Sequence, residues 1–204
     1  MVAIIDYGSG NIRSVENAFK SLGINTIVSR DWIDLQNASH IVLPGVGSFG
    51  NGMNQLKNLS LIDSLERLVF EKGVPFLGIC VGHQVLSSFG SEFEKIHGLD
   101  WIEGRVEKIE IKNKELKLPH VGWNNVSLTR TSLLYDGIPE DSCFYFVHSY
   151  QFIPDDKSLI TSFCEYGSKV TASVQKDNIF GVQFHPEKSQ TAGLLLLENF
   201  SKIK

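Results

Sequence analysis

The sequence predicts an α/β fold, a three-layer sandwich in which helices cover both faces of a mostly parallel central sheet with added antiparallel strands. Three observations predict it. In the first hundred residues, short apolar runs such as Val2 to Asp6 and Val74 to Ile79 alternate with segments whose apolar residues recur at helical spacing. From Trp101 onward the texture changes to aromatic and β-branched runs separated by turn residues, which adds mixed or antiparallel strands to the same sheet. A last apolar segment, Ala192 to Phe200, closes the chain as a helix.

Each element follows from its residues. Val2 to Asp6 is a strand, Tyr7-Gly-Ser-Gly-Asn11 a loop, and the next segment a helix with apolar residues at Ile12, Val15, Phe19 and Leu22 that stops at Gly23. Ile24 to Val28 and Ile41 to Leu43 are β-branched strands, and "LPGVGSFG" after the second reads as a glycine-rich turn, not a helix start. Leu61 to Glu71 is a helix ending at Gly73, and Val74 to Ile79 the strand after it. In the second half, "WIEGRVEKIEIK", "VGWNNVSL", "CFYFVHSYQF", "LITSFCEY" and "IFGVQFHPE" are the strand-like runs. Repeats, low-complexity tracts and linkers are not visible, so a single domain over 1–204 is expected.

Bulk properties narrow the function. With 204 residues, 42% hydrophobic and 21% charged, the chain has an ordinary globular composition and enough length for one well-buried core. Its net charge of -4 offers no general attraction for nucleic acid or anionic membrane. Three cysteines, Cys80, Cys143 and Cys164, show neither metal spacing nor a disulfide framework. The early Asp6 argues against a signal peptide, and no run of about 18 apolar residues occurs. A cytoplasmic protein is expected. Histidines and carboxylates are scattered without ligand spacing, so neither a metal nor an organic cofactor is expected.

Chemistry concentrates at "FLGICVGHQ". Gly78-Ile-Cys80-Val-Gly82 has the spacing of a nucleophile elbow, a tight strand-to-helix turn that presents a reactive side chain. Flanking glycines suit the unusual backbone angles and close main-chain approach of such a turn. The dipole of the following helix would favour thiolate, and the Val81 N–H would point where an oxyanion forms.

A cysteine nucleophile needs a base, and the base an orienting acceptor. Of six histidines, His40 and His97 lie at element edges and are expected to be solvated, while His83 is expected to point sideways into packing. His120 and His148 fall in strand-like runs, where a structural histidine satisfied by its neighbours is expected, although polar groups beside His148 could line a pocket. His185 ends an apolar strand and has Glu187 two residues later across a proline, which fixes its own backbone angle so that the carboxylate can be held against the imidazole. Cys80, His185 and Glu187 are therefore the candidate nucleophile, base and orienter.

Together "GICVGHQ", "LPGVGSFG" and "FHPE" resemble the class I (triad) glutamine amidotransferases, over essentially the whole chain. "IIDYGSGNIRSV", "LPGVGSFGNGM", "IEGRV", "LPHVGWN", "YFVHSY" and "GVQFHPEKS" are similar, within that class, to the glutaminase subunits of imidazole glycerol phosphate synthases. The resemblance implies that Cys80 attacks the side-chain amide of L-glutamine, releases ammonia and leaves a glutamyl thioester that water hydrolyses. It also implies a heterodimer with a (β/α)8-barrel cyclase, which receives the ammonia through a channel and makes imidazole glycerol phosphate and aminoimidazole carboxamide ribotide in histidine biosynthesis.

By motif, the resemblance implies oxyanion donors at Val81 and in the Pro44-Gly45-Val46-Gly47 turn, at Val46 and Gly47, where one peptide can switch. Gln84, Gly45, His148, Ser149 and Tyr150 would hold the substrate's amino-acid end, and Asn11, Tyr145 and Lys188 would lie near the barrel interface. The elbow departs from the family pattern, which more often has leucine and methionine where this chain has Val81 and His83. Val81 still supplies its backbone, but His83 brings a titratable group near the thiol. Close relatives supply ammonia to a barrel partner for amidino or amide groups on surface-glycan sugars, an alternative with nearly the same motifs. An intact triad argues against a catalytically silent scaffold, and the "YFVHSY" and "PGVG" motifs suit a small enclosed site better than the open groove of a cysteine peptidase.

Overall fold

The computed structural model describes residues 1–8, 10–111 and 115–204. Ser9 of the first loop and Lys112 at the end of "WIEGRVEKIEIK" lie outside the described residues. The first half alternates as predicted: β1 (Val2–Ile5), α1 (Ile12–Ser21), β2 (Thr26–Ser29), a short α2 (Trp32–Leu35) and β3 (His40–Gly45). Next come α3 (Phe49–Asn58), α4 (Ile62–Glu66) running into a π-helical turn over Arg67–Glu71, and β4 (Phe76–Cys80). Helix α1 buries Val15 and Phe19 of the predicted stripe together with Ala18, and Ile12 and Leu22 pack against the core partly buried. Strands β1, β3 and β4 are buried at every position, as strands covered on both faces are.

One expectation is corrected here. "LPGVGSFG" does contain a helix start: α3 begins at Phe49, and the Ser48 side chain caps it by accepting from the Asn51 N–H at 3.3 Å. Only Val46 and Gly47 are left as turn, so the turn is pinned between a strand end and a helix cap.

Past the elbow lie α5 (Val81–Gln84), β5 (Phe89–Gly90), β6 (Ile96–His97), β7 (Gly104–Lys108), β8 (His120–Asn125) and β9 (Ser127–Leu128). Then follow β10 (Cys143–His148), β11 (Tyr150–Pro154), β12 (Ile160–Glu165), β13 (Lys169–Lys176), β14 (Ile179–Val182) and α6 (Gln190–Lys202). Strand β13 is the longest and was not singled out from the sequence, although Val170, Ala172 and Val174 alternate along it; all three are buried.

The large sheet has eight strands in the order β2-β1-β3-β4-β14-β13-β12-β9. Pairs from β2 to β14 are parallel and the remainder antiparallel. The second half does not all join it. "CFYFVHSYQF" breaks at Ser149 into β10, which pairs with β8 alone, and β11, which belongs to a four-stranded sheet ordered β11-β7-β5-β6. From β1 the chain steps to β2 on one side, and β3 then returns to its other side. Right-handed crossovers therefore put α1 and the α3–α4 segment on opposite faces, and the switch in direction falls between the carboxyl ends of β1 and β3. Cys80 ends β4, next to β3 in register with Gly45.

Among the described residues no helix is long and apolar enough to cross a membrane.

Of the histidines away from the triad, His40 departs from expectation and His83 does not. His40 was expected in solvent, yet it is buried, bonded to Ser39 Oγ at 2.9 Å and to the Ile203 carbonyl at 2.9 Å, because the C-terminal segment folds over the start of β3. His97 is exposed. His83 points into packing as expected: it is fully buried, edge-on to Phe152 with centroids 5.4 Å apart, and neither ring nitrogen has a hydrogen-bond partner among the described residues.

Burial, assisted by the nearby His148, pushes His83 down to about 3 from an ordinary 6.5. Its folded pKa is depressed, so below 6.5 the unfolded chain binds a proton that the native chain refuses, and stability falls as pH drops through that window. His83→Met is expected to stabilise the protein by about 1–3 kcal/mol, the cost of an unpaired buried polar group. It should also flatten the stability-versus-pH slope between pH 6 and 4 by roughly 1.4 kcal/mol per pH unit. Urea titrations at several pH values measure both; an unchanged slope would mean that the imidazole is already solvated.

Candidate active site

The elbow is built by strain and close approach. Cys80 sits at φ 55 and ψ -107, angles that cost an L residue about 1–3 kcal/mol. The turn closes because its flanking residues lack side chains: a Cβ on Gly78 would collide with the Gly82 carbonyl, and one on Gly82 with the Leu43 carbonyl. The helix behind it is shorter than expected. Helix α5 is a single turn ending at Gln84, so a macrodipole contributes little.

His185 follows β14, held by its N–H donating to the Tyr145 carbonyl at 2.9 Å and by its own carbonyl accepting from Ser189 Oγ at 2.6 Å. Pro186 then starts a one-turn 3-10 helix that folds Glu187 back, so that Glu187 Oε1 lies 2.8 Å from His185 Nδ1. Both side chains are shut off from solvent, at 1% and 0% exposure. Asn11 Nδ2 also donates to Glu187 Oε1 and lies 3.4 Å from His185 Nδ1. With Nδ1 engaged, Nε2 is the ring atom left for the thiol. It is buried and makes no hydrogen bond of ordinary geometry among the described residues. Burial acts to lower the His185 pKa, but interaction with Cys80 and the Glu187 carboxylate outweighs it and raises the imidazole to about 10.

Cys80 and His185 open onto a cavity of ≈ 410 Å³, whose wall also holds Val46, Gly47, Val81, Gln84, His148, Ser149 and Tyr150. Gly45 is not part of that wall: it is packed behind it, where a Cβ would lie 2.6 Å from Tyr7 Oη and 2.8 Å from the Gly82 nitrogen. Gly47 has φ +99, with open space beside its Cα. Three further wall residues, Glu92, Pro119 and Val147, were not foreseen. Glu92 sits in "SEFEK", which reads as a solvated charge run; only the fold brings its carboxylate here, where Oε2 accepts from the Phe49 N–H at 2.9 Å and its carbonyl accepts from Tyr150 Oη at 3.1 Å.

His120 and His148 face each other across the β8–β10 ladder. Asn124 Nδ2 is 3.2 Å from His120 Nε2, His120 Nδ1 is 3.1 Å from His148 Nε2, and His148 Nδ1 is 2.8 Å from the Tyr150 carbonyl. The carbonyl can only accept, so both rings are neutral donors in one direction. Burial agrees, pushing His120 down to about 4 and His148 down to about 3. Tyr145 and Lys188 lie outside the cavity, with Lys188 Nζ 5.6 Å from the Tyr145 ring centroid. Among the described residues no cluster of His, Cys, Asp or Glu is arranged to hold a metal.

Comparison with known proteins gives the family and the fold. The family model described as "Glutamine amidotransferase class-I" matches residues 3–203. The chain is similar to "Imidazole glycerol phosphate synthase subunit HisH" of Pelagibacter ubique, 45% identical over 99% of each chain. To "Imidazole glycerol phosphate synthase subunit HisH 2" of Methanococcus maripaludis it is 46% identical, again over 99% of each. Among solved structures, one described as a glutamine amidotransferase shares the fold at a TM-score of 0.75, covering 98% of this chain and 100% of that one at 18% identity.

Proposed function

The chain belongs to the class-I glutamine amidotransferase family, and on that premise we propose that it is the glutaminase subunit of an imidazole glycerol phosphate synthase in the cytoplasm, acting as one domain over 1–204. The observation that carries the chemistry is that Cys80 and His185 share the wall of one cavity while Glu187 lies 2.8 Å from His185 Nδ1. The near-complete coverage of relatives named HisH supports the pathway.

In this reading Cys80 Sγ attacks the side-chain carbonyl carbon of L-glutamine, and the charge that develops on the oxygen is met by the Val81 N–H and a donor from the Val46–Gly47 turn. His185 gives its Nε2 proton to the departing nitrogen, so ammonia leaves and a thioester remains. Neutral His185 next takes a proton from water, the hydroxide attacks the thioester, and glutamate departs as the Cys80 thiolate and the imidazolium are restored. Glu187, steadied by Asn11, orients the ring and stabilises its charged form. Gly47 accepts positive and negative φ alike, so the Val46–Gly47 peptide can reorient at little cost. Glu92 suits the substrate's α-ammonium, with Ser149 and Tyr150 beside it.

The proposed partner is a (β/α)8-barrel cyclase that receives the ammonia. Beside the site, β8 exposes Val121 and Trp123 at 54% and 47%, with Tyr145 of β10 and Lys188 nearby, an apolar face of the kind that partners cover. Ammonia released without an acceptor wastes glutamine, so the protein alone is expected to be a poor glutaminase. Glutamate release should rise on the order of 10²-fold or more when a histidine-pathway cyclase and its nucleotide are added, the size of effect one oxyanion donor has. No rise, with Cys80 still alkylated by a glutamine-analogue electrophile, would overturn the pathway and point to a different barrel.

A further inference from the structure

We infer that Gln183, a buried residue between β14 and His185, is a further catalytic residue that donates its side-chain N–H to the Cys80 sulfur, and that Gln84 positions it. Gln183 Nε2 lies 3.7 Å from Cys80 Sγ, hydrogen-bond range for the larger sulfur atom, and the residue is 0% exposed. This rests on Cys80 being the nucleophile.

The polarity of the contact is fixed by what surrounds it. A primary amide can turn either end to a neighbour, and an oxygen facing a thiolate would repel it. Gln84 removes that freedom. Its Nε2 is 3.1 Å from the Tyr150 carbonyl, an atom that only accepts, so the nitrogen must face it. The second N–H of the same nitrogen then meets Gln183 Oε1 at 3.0 Å. With its oxygen claimed, Gln183 has only its nitrogen to turn toward sulfur. The Tyr150 carbonyl is itself held from the other side by His148 Nδ1 at 2.8 Å. A directed set of hydrogen bonds therefore runs from the β8–β10 sheet to the reacting atom, and Gln84 is left only Oε1 to offer a substrate.

A single N–H on a charged sulfur acts on the thiolate far more than on the thiol or on bound glutamine. Loss of it should slow turnover and leave substrate affinity nearly unchanged. It should also make the thiolate form at higher pH.

The test uses the full chain carrying Cys143→Ser, because Cys143 is exposed and would react, whereas Cys164 is buried. Iodoacetamide alkylation is followed against pH, together with glutamate release. Gln183→Leu is expected to move the alkylation midpoint up by about one unit and lower kcat about tenfold to hundredfold, with KM within about twofold. Gln183→Glu keeps the acceptor for Gln84 but sets a carboxylate beside the sulfur, and should move the midpoint further. It covers the case in which the leucine variant folds poorly. Melting curves like the parent's with an unmoved midpoint in both variants would overturn the role of Gln183. Alkylation that persists in Cys80→Ser would instead overturn the nucleophile assignment beneath it.

Discussion

Cys80→Ser is expected to reduce partner-stimulated glutamate release on the order of 10⁴-fold or more while the protein melts as before, since loss of a nucleophile removes the covalent route altogether. The hydroxyl is nearly isosteric with the thiol but far less acidic and a much weaker nucleophile, so it cannot take over the attack. Packing should not suffer: the elbow is held by the close approach of Gly78 to Gly82 and of Gly82 to Leu43, none of which involves sulfur. The decisive comparison is the glutamate release rate against the melting midpoint of the same preparation. Substantial turnover by a well-folded serine variant would refute the assignment, whereas loss of both would say only that position 80 matters to folding and would call for Cys80→Ala.

A second large effect is expected at the base, with a graded pair of outcomes. His185→Ala should cost on the order of 10³- to 10⁴-fold in kcat, because it removes the group proposed to protonate the leaving nitrogen. Glu187→Gln should cost less, about 10- to 100-fold. The glutamine oxygen can still accept from His185 Nδ1 and from Asn11 Nδ2, so the ring keeps its orientation and loses only the carboxylate's charge.

That charge helps raise His185, so removing it should lower the imidazole pKa. The acid that protonates the leaving group then disappears at lower pH, and the alkaline limb of the rate profile should move down. If the two variants lose activity equally, Glu187 does more than orient and charge the ring. If the alkaline limb stays in place, His185 is not the group that titrates.

The contrast between the two halves of the chain shows what was legible. In the first half, parallel strands are buried on both faces and helices show one apolar stripe, so composition and periodicity locate elements directly, as in α1 and β4. In the second half the same alternation suits any sheet, and the run through Ser149 was readable as strand but not as two strands in separate sheets. Helix α3 was hidden because Gly50 and Gly52 lie in its first turns, residues that ordinarily count against a helix. His40 was misjudged because its partner is Ile203, 163 positions away.

Sequence alone marked the candidate triad. Cys80 between two glycines, and His185 two residues before Glu187, are local patterns: strand-to-turn geometry and a proline-led turn operate over a few residues, so spacing encodes them. The tertiary structure alone decided which distant groups surround that chemistry. Glu92 enters the cavity wall, Asn11 steadies Glu187 from 176 positions away, and Gln183 turns its nitrogen to the thiol because Gln84, 99 positions distant, holds its oxygen. Such contacts depend on strand order, and on the requirement that buried polar atoms find partners wherever the fold brings them, so no local pattern records them.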